Sequence, residues 1–241
     1  MSRFLAVMKT DVTVQVRNNL YQVGIAIGVL VAVALSVLTG PSSIGKAIGP
    51  VMLLMGGGST LMYVAALVIF EKDEGTLHAT IVSPVRAGEY LWSKVITLTV
   101  LATLECLLVV VGALLIVGLS GPVPWPNLPL LLLGLVTMSI GFTLLGIGLV
   151  VRYGKITDFL MPMAALTSTL QLPFLYFWGV VEHPALLMIP TSAPTMLIQG
   201  AFLPLAPWEW VYGLIYTAAI LAVLAAWGYR AFQTHIVQKL G

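Results

Sequence analysis

The chain has 241 residues, of which 59% are hydrophobic and only 8% charged, with a formal net charge of +2. Soluble domains carry about 25% charged residues, so this composition cannot cover a water-facing surface, and so small a net charge gives no basis for nucleic-acid binding. The single cysteine, Cys106, lies inside an apolar run and has no partner for an intrachain disulfide.

In chain order, residues 1–19 are polar and mixed, without the apolar core and small-residue cleavage site of a signal peptide. Phe4, Leu5, Met8, Val12, Val16 and Leu20 recur at helical spacing, and Arg3, Lys9, Thr10, Asp11, Thr13, Gln15 and Arg17 fill most of the other positions. This pattern predicts an amphipathic helix lying on the membrane surface. Residues 20–241 then form one unit with six apolar runs, at about 20–39, 50–70, 95–118, 128–151, 159–180 and 208–229. Each is long enough to cross a bilayer as a helix, and none shows the ten-residue alternation of a barrel strand. The expected fold is therefore an all-α membrane protein with six transmembrane helices.

Basic residues set the orientation. Arg3, Lys9 and Arg17 precede the first run, and Lys72, Arg86 and Lys94 separate the second from the third. Arg152 and Lys155 separate the fourth from the fifth, and Arg230 and Lys239 follow the sixth, so that 10 of 11 basic residues fall on one side and only Lys46 on the other. Both ends are expected in the cytoplasm of a cell membrane. The outer segment 118–127 is a turn punctuated by Pro122, Pro124 and Pro126. Segment 181–207 is apolar but broken by Pro184, Pro190, Pro194, Pro204 and Pro207, which predicts short re-entrant or interface-lying helices at the outer mouth. Trp125, Trp178, Trp208 and Trp210 near that boundary suit an aromatic belt.

Residues 40–47, Gly-Pro-Ser-Ser-Ile-Gly-Lys-Ala, almost spell a phosphate-binding loop. Ala47 replaces the Ser or Thr that would hold magnesium, and a transmembrane run rather than a strand precedes it. No ATPase site is therefore expected in this chain. His78, His183 and His235 are scattered over different sides or ends of the membrane, with no metal spacing, and no Ser or Cys has a plausible base. Neither catalytic residues nor a metal site are expected.

The second cytoplasmic segment, 70–94, holds 4 of the 9 acidic residues. It predicts a short helix ending near Pro84 and a second helix leading into the third span. After the acidic cluster come Gly75-Thr76-Leu77, then Ser83-Pro84-Val85, then Glu89-Tyr90-Leu91 and Lys94. In this sequence of features, and in its six-span plan, surface helix and proline-broken last outer loop, the chain resembles the type-two ATP-binding-cassette permeases, exporters of drugs, lipids or polysaccharides. The resemblance implies that this segment forms a coupling helix docking on a separate ATPase, carried here by Glu74 through Ser83. The residues it assigns to that contact are Glu71, Glu74, Gly75, Thr76, His78, Ser83, Pro84 and Arg86. It further implies two ATPase copies binding ATP and magnesium, a second permease copy of the same or a different sequence, and no cofactor on this chain. A short, partly apolar helix with charged ends suits a groove on a partner.

Within the spans, Glu105 sits near the middle of the third. A carboxyl there either faces a cavity and its cargo or is protonated and hydrogen-bonded to a neighbouring helix. Thr167, Ser168 and Gln171 in the fifth span, with Thr169, are candidates for a cavity wall. Arg152, Lys155 and Asp158 read as interfacial anchors. Gly24 and Gly28, Gly56 to Gly58, and Gly141, Gly146 and Gly148 mark close helix contacts. With almost no charge in the spans, the expected cargo is apolar or amphipathic. An ATP-independent carrier or a membrane scaffold is the alternative, although no internal repeat is visible and only one midplane ionisable group is present.

Overall fold

A computed structural model describes residues 3–73 and 87–234. All regular structure among these residues is helical. The helices are α1 (Arg3–Arg17), α2 (Leu20–Leu38), α3 (Ile44–Asp73), α4 (Ala87–Gly118), α5 (Leu128–Val150), α6 (Ile156–Leu170), α7 (Pro173–Phe177), α8 (Ser192–Gly200), α9 (Pro207–Val211) and α10 (Thr217–Phe232). A 3-10 turn (Pro184–Met188) precedes α8, and a π-helical turn (Tyr212–Tyr216) joins α9 to α10. Six stretches are long and apolar enough to span a bilayer: α2, most of α3, most of α4, α5, α6 with α7, and α9 through α10. The end of the bundle bearing α1 and the last turn of α10 is the terminal end here, and the other is the distal end.

Two spans are longer than hydropathy alone predicts. α3 begins at Ile44 rather than near residue 50, and α4 begins at Ala87 rather than near 95. At 30 and 32 residues they run roughly 45 and 48 Å, against a hydrocarbon core of about 30 Å. α3 continues through Pro50 because the acceptor that proline abandons is satisfied elsewhere. Pro50 has no N–H for the carbonyl four residues back, and the Gln199 amide donates to that Lys46 carbonyl at 3.3 Å. At the α6–α7 break before Pro173, Thr191 donates to the Leu170 carbonyl at 2.5 Å and so satisfies an acceptor at the end of α6.

α5 lies at the centre, packed on α3, α4, α8 and α10, while α4 packs on α2 and α1 as well. Glycines permit the closest approaches. A Cβ on Gly134 would sit 2.6 Å from the Ile198 side chain and 2.9 Å from its backbone nitrogen, which fixes α8 against α5. One on Gly148 would overlap the Trp227 ring of α10 at 2.1 Å, and one on Gly28 would meet Leu108 of α4 at 2.9 Å. The proline-broken segment folds as short helices seated on the bundle, with Ala193, Met196, Leu197 and Ile198 of α8 buried. Tyr212 and Tyr216 donate to the Leu187 and Met188 carbonyls, each at 2.5 Å, pinning the 3-10 turn to the π turn. Outward faces of α2, α6, the π-helical turn and α10 expose Val29, Leu30, Val33, Met161, Ile215 and Val223, as a lipid-facing surface requires. Trp125, Trp178, Trp208 and Trp210 are exposed around the distal end.

The apolar core falls into two clusters. The distal one includes Ile48, Met52, Leu61, Cys106, Phe142 and Leu197; the terminal one includes Tyr63, Leu67, Leu91, Leu98, Leu144 and Phe159. Where they meet, around residues 60–63, 101–106 and 139–144, buried polar side chains replace apolar ones: Thr60, Thr103, Glu105, Ser139 and Thr143.

Candidate functional site

The terminal end carries a buried ionic cluster that joins three helices. Asp11 and Gln15 lie one turn apart on α1 and face Ser93, Lys94 and Thr97 of α4. Ser93 donates to Asp11 at 2.5 Å, Lys94 Nζ to Asp11 at 2.9 Å, and the Gln15 amide to Thr97 at 3.0 Å. Lys94 also donates to Glu71 of α3 at 2.5 Å, and the Tyr90 hydroxyl donates to the other Glu71 oxygen. The Lys94 side chain is 1% exposed, Asp11 5% and Glu71 13%. Its ammonium also sits 4.5 Å from the centroid of the Tyr90 ring. That ring stacks on Phe232 of α10 at 5.4 Å between centroids. One cation thus serves two carboxylates in a nearly dry setting, where charges persist only when paired and hydrogen-bonded.

The cluster revises the reading of α1. Its buried positions are Asp11 and Gln15, while Leu5, Val12 and Val16 stay exposed. Two of the polar residues that helical spacing assigns to water, Asp11 and Gln15, instead face the bundle, while Lys9, Thr10 and Thr13 stay exposed and part of the apolar stripe faces outward, free to enter lipid. Asn19, at φ 59°, makes the left-handed turn from α1 into α2, a conformation Asn tolerates better than most residues.

Glu71 and Lys94 flank the segment that sequence reasoning assigns to ATPase docking. Of those candidates, Glu71 is placed in the cluster; Glu74, Gly75, Thr76, His78, Ser83, Pro84 and Arg86 lie outside the described residues. Tyr90 and Lys94 carry the resemblance in sequence, and the structure gives them a physical partner. Asp11, Ser93, Gln15 and Thr97 were missed as site residues. The i, i+4 spacing of Asp11 and Gln15, which puts both polar side chains on one face of α1, was the available signal.

The second candidate set does not form one site. Glu105 is 4% exposed, and neither carboxyl oxygen has a hydrogen-bond partner. It lies against Gly24 of α2, with Tyr63 and Ser59 of α3 alongside, and the Tyr63 hydroxyl is equally without a hydrogen bond. Gln171 instead donates to the Leu54 carbonyl at 2.7 Å and crowds Gly57. Gly57 and Ser59 are two residues apart, roughly 200° around α3, so Gln171 and Glu105 meet different faces of that helix. Thr167 is buried without a hydrogen-bond partner, and Ser168 is exposed and bonded back to the Ala164 carbonyl at 2.8 Å. Arg152, expected as an interfacial anchor, packs over the Trp227 ring at 5.3 Å. Among the described residues, no three His, Cys, Asp or Glu side chains approach closely enough to share a metal ion.

Among the described residues, two sizeable cavities open on the surface. One, of about 690 Å³, lies at the distal end, lined among others by Lys46, Tyr176, Trp178, Glu182 and Gln199. The other, of about 400 Å³, is an apolar groove between α4 and α5 beside Trp92 and Thr103. Glu105 lines neither, and neither lining set runs from one end of the bundle to the other.

Comparison with known proteins decides the family. The profile of the fluoroquinolones export permease protein family matches residues 2–240. The chain belongs to that family. Two relatives named fluoroquinolones export permease protein, from Mycobacterium tuberculosis strains CDC 1551 / Oshkosh and ATCC 25618 / H37Rv, are each 30% identical over 247 residues, spanning 100% of this chain and 99% of theirs. The resemblance to type-two ATP-binding-cassette permeases is borne out over the whole length of this family member. Its six spanning helices agree with a multi-pass transport protein of the membrane.

Proposed function

We propose that the chain is the membrane-spanning subunit of an ATP-driven exporter, powered by a separate ATPase that docks on Glu74 through Ser83, with Glu71 and Arg86 flanking the contact. The observation that carries this reading is the ionic cluster. It ties Glu71, just before that segment, to Tyr90 and Lys94, just after it, and both to α1 through Asp11. A push on the segment would reach α3 and α4 together, because their ends are bonded to each other. α4 packs on α2 and α5, so the displacement passes into the bundle. The polar seam around Glu105 is where the two apolar clusters can shift against each other. In this reading the terminal end is cytoplasmic, in line with 10 of the 11 basic residues. ATP and magnesium bind the partner, and this chain holds no cofactor of its own. Two ATPases serve two permease copies. The cargo is amphipathic and aromatic, as the names of the relatives indicate, and it moves outward from the cytoplasm or inner leaflet.

Co-purification with the ATPase tests docking. Reversing Glu74 and Arg86 together should dissolve the complex and abolish drug-stimulated ATP hydrolysis; intact assembly and stimulation would refute docking through this segment. One observation favours a second reading. The unpartnered Glu105 carboxyl is the kind of group that a proton-coupled carrier uses. Uptake driven by a proton gradient in vesicles without ATP would establish that reading instead.

A further inference from the structure

We propose that the distal cleft is the release-side binding site, and that it recognises an aromatic zwitterion by a cation at one wall and a carboxylate at the other. The inference rests on the export reading for its placement on the outer face. At about 690 Å³ the cleft can hold a drug-sized molecule. Leu38, Thr39, Ser43, Lys46 and Ala47, from the α2–α3 corner, form one wall, and Tyr176 and Phe177 at the end of α7, with Trp178, Gly179 and Glu182 after it, form another.

Its chemistry is specific. Lys46 is the one basic residue outside the terminal-end group. Glu182 is one of two carboxylates in the stretch that follows α7 and leads through α9. Among the described residues, neither Lys46 nor Glu182 is drawn into an ion pair, so both charges stand available to a ligand. The Lys46 carbonyl is already occupied by Gln199, which holds the first turns of α3 in place and leaves the ammonium as the group offered to the cleft. Tyr176 and Trp178 add aromatic faces, and Trp178 is stacked on Phe174 at 5.1 Å, which fixes its ring. Gly179, at φ 79° with open space where a Cβ would stand, turns the chain away from α7 so that Glu182 reaches the same cleft. An acid at one end of a flat ring system and an amine at the other would meet Lys46 and Glu182 while stacking on the aromatic wall.

The test uses norfloxacin, its methyl ester and its N-acetyl derivative, which keep the ring system but carry both charges, only the amine, or only the acid. Binding to the purified chain in phosphatidylcholine nanodiscs is read by equilibrium dialysis and the fluorescence of the compounds. Lys46→Ala should weaken norfloxacin and the N-acetyl derivative by about five-fold and leave the ester within two-fold, the loss of one partly exposed charge contact. Glu182→Gln should weaken norfloxacin and the ester by a similar factor and spare the N-acetyl derivative. No change in either variant, or the same loss for all three compounds, overturns the site. A thermal unfolding curve for each variant separates lost binding from lost folding. ATP-driven efflux, measured in parallel with the ATPase, tests the export reading separately. The expected binding pattern without efflux sinks export and keeps the site, whereas efflux with unaltered binding in both variants sinks only the site.

Discussion

Replacing Lys94 by Met removes the cation at the junction of α1, α3 and α4 while keeping most of the side-chain volume. Asp11 then loses its ammonium partner and keeps the Ser93 hydroxyl, and Glu71 loses one of its charged contacts, in a setting where their side chains are 5% and 13% exposed. Breaking a buried pair by removing one partner costs about 3–5 kcal/mol. Glu71 keeps some access to water, so the lower end, about 3 kcal/mol, applies, a change on the order of 100-fold in the unfolding equilibrium. The assay is built into the chain. Cys106 is the sole cysteine and is buried, so a thiol-reactive fluorophore reports unfolding directly. Lys94→Met should melt well below the parent, and the triple variant that adds Asp11→Asn and Glu71→Gln should recover most of the loss, because it leaves no unpaired charge behind. A single variant as stable as the parent, or a triple variant no better than the single, would refute the claim that one lysine holds the three helices together.

Other positions yield sharper local tests. Gly134→Ala should cost about 1–3 kcal/mol in the same melt, since the new methyl would press on the Ile198 backbone as well as its side chain; an unchanged melt would mean that α8 is free to move off α5. Glu105→Met should stabilise the fold by about 1–3 kcal/mol by removing unsatisfied buried oxygens, yet lower drug efflux; destabilisation would reveal a partner for the carboxyl. Asn19→Gly should be tolerated within a few tenths of a kcal/mol, whereas Asn19→Val, forced to a positive φ, should lose about 1–2 kcal/mol. Equal melts for the two Asn19 variants would show that the turn relaxes.

The six spans were legible because each is an uninterrupted apolar run, and a helix is the only way such a run satisfies its backbone in lipid. Their terminal-end limits were not. Glu89, Ser93 and Lys94 lower the hydropathy at the start of α4, yet the helix includes them because Lys94 is neutralised by residues 83 positions before it and 23 positions before it in the chain. Long-range pairing of this kind has no local signature. At the distal end Pro50 marks a span start by the same local logic, yet α3 begins earlier, with the amide of Gln199, 153 positions away from Lys46, supplying the donor that Pro50 lacks. The small-residue spacing in α2 was informative: Gly24 and Gly28 both face α4, against Glu105 and Leu108. Thr167, Ser168 and Gln171 looked like one polar wall because they are close in sequence, but their hydrogen bonds turn Ser168 onto its own helix and Gln171 onto α3.

The central claim is that movement is driven by ATP hydrolysed in a partner gripping the segment between α3 and α4. Proteoliposomes containing the chain and its ATPase, loaded with magnesium ATP on the side of the terminal end, test it most directly with norfloxacin as cargo. The account predicts drug transport away from that side, dependent on hydrolysis and lost when Glu74 and Arg86 are reversed. Equal transport with a non-hydrolysable nucleotide, or with the ATPase left out, would contradict it.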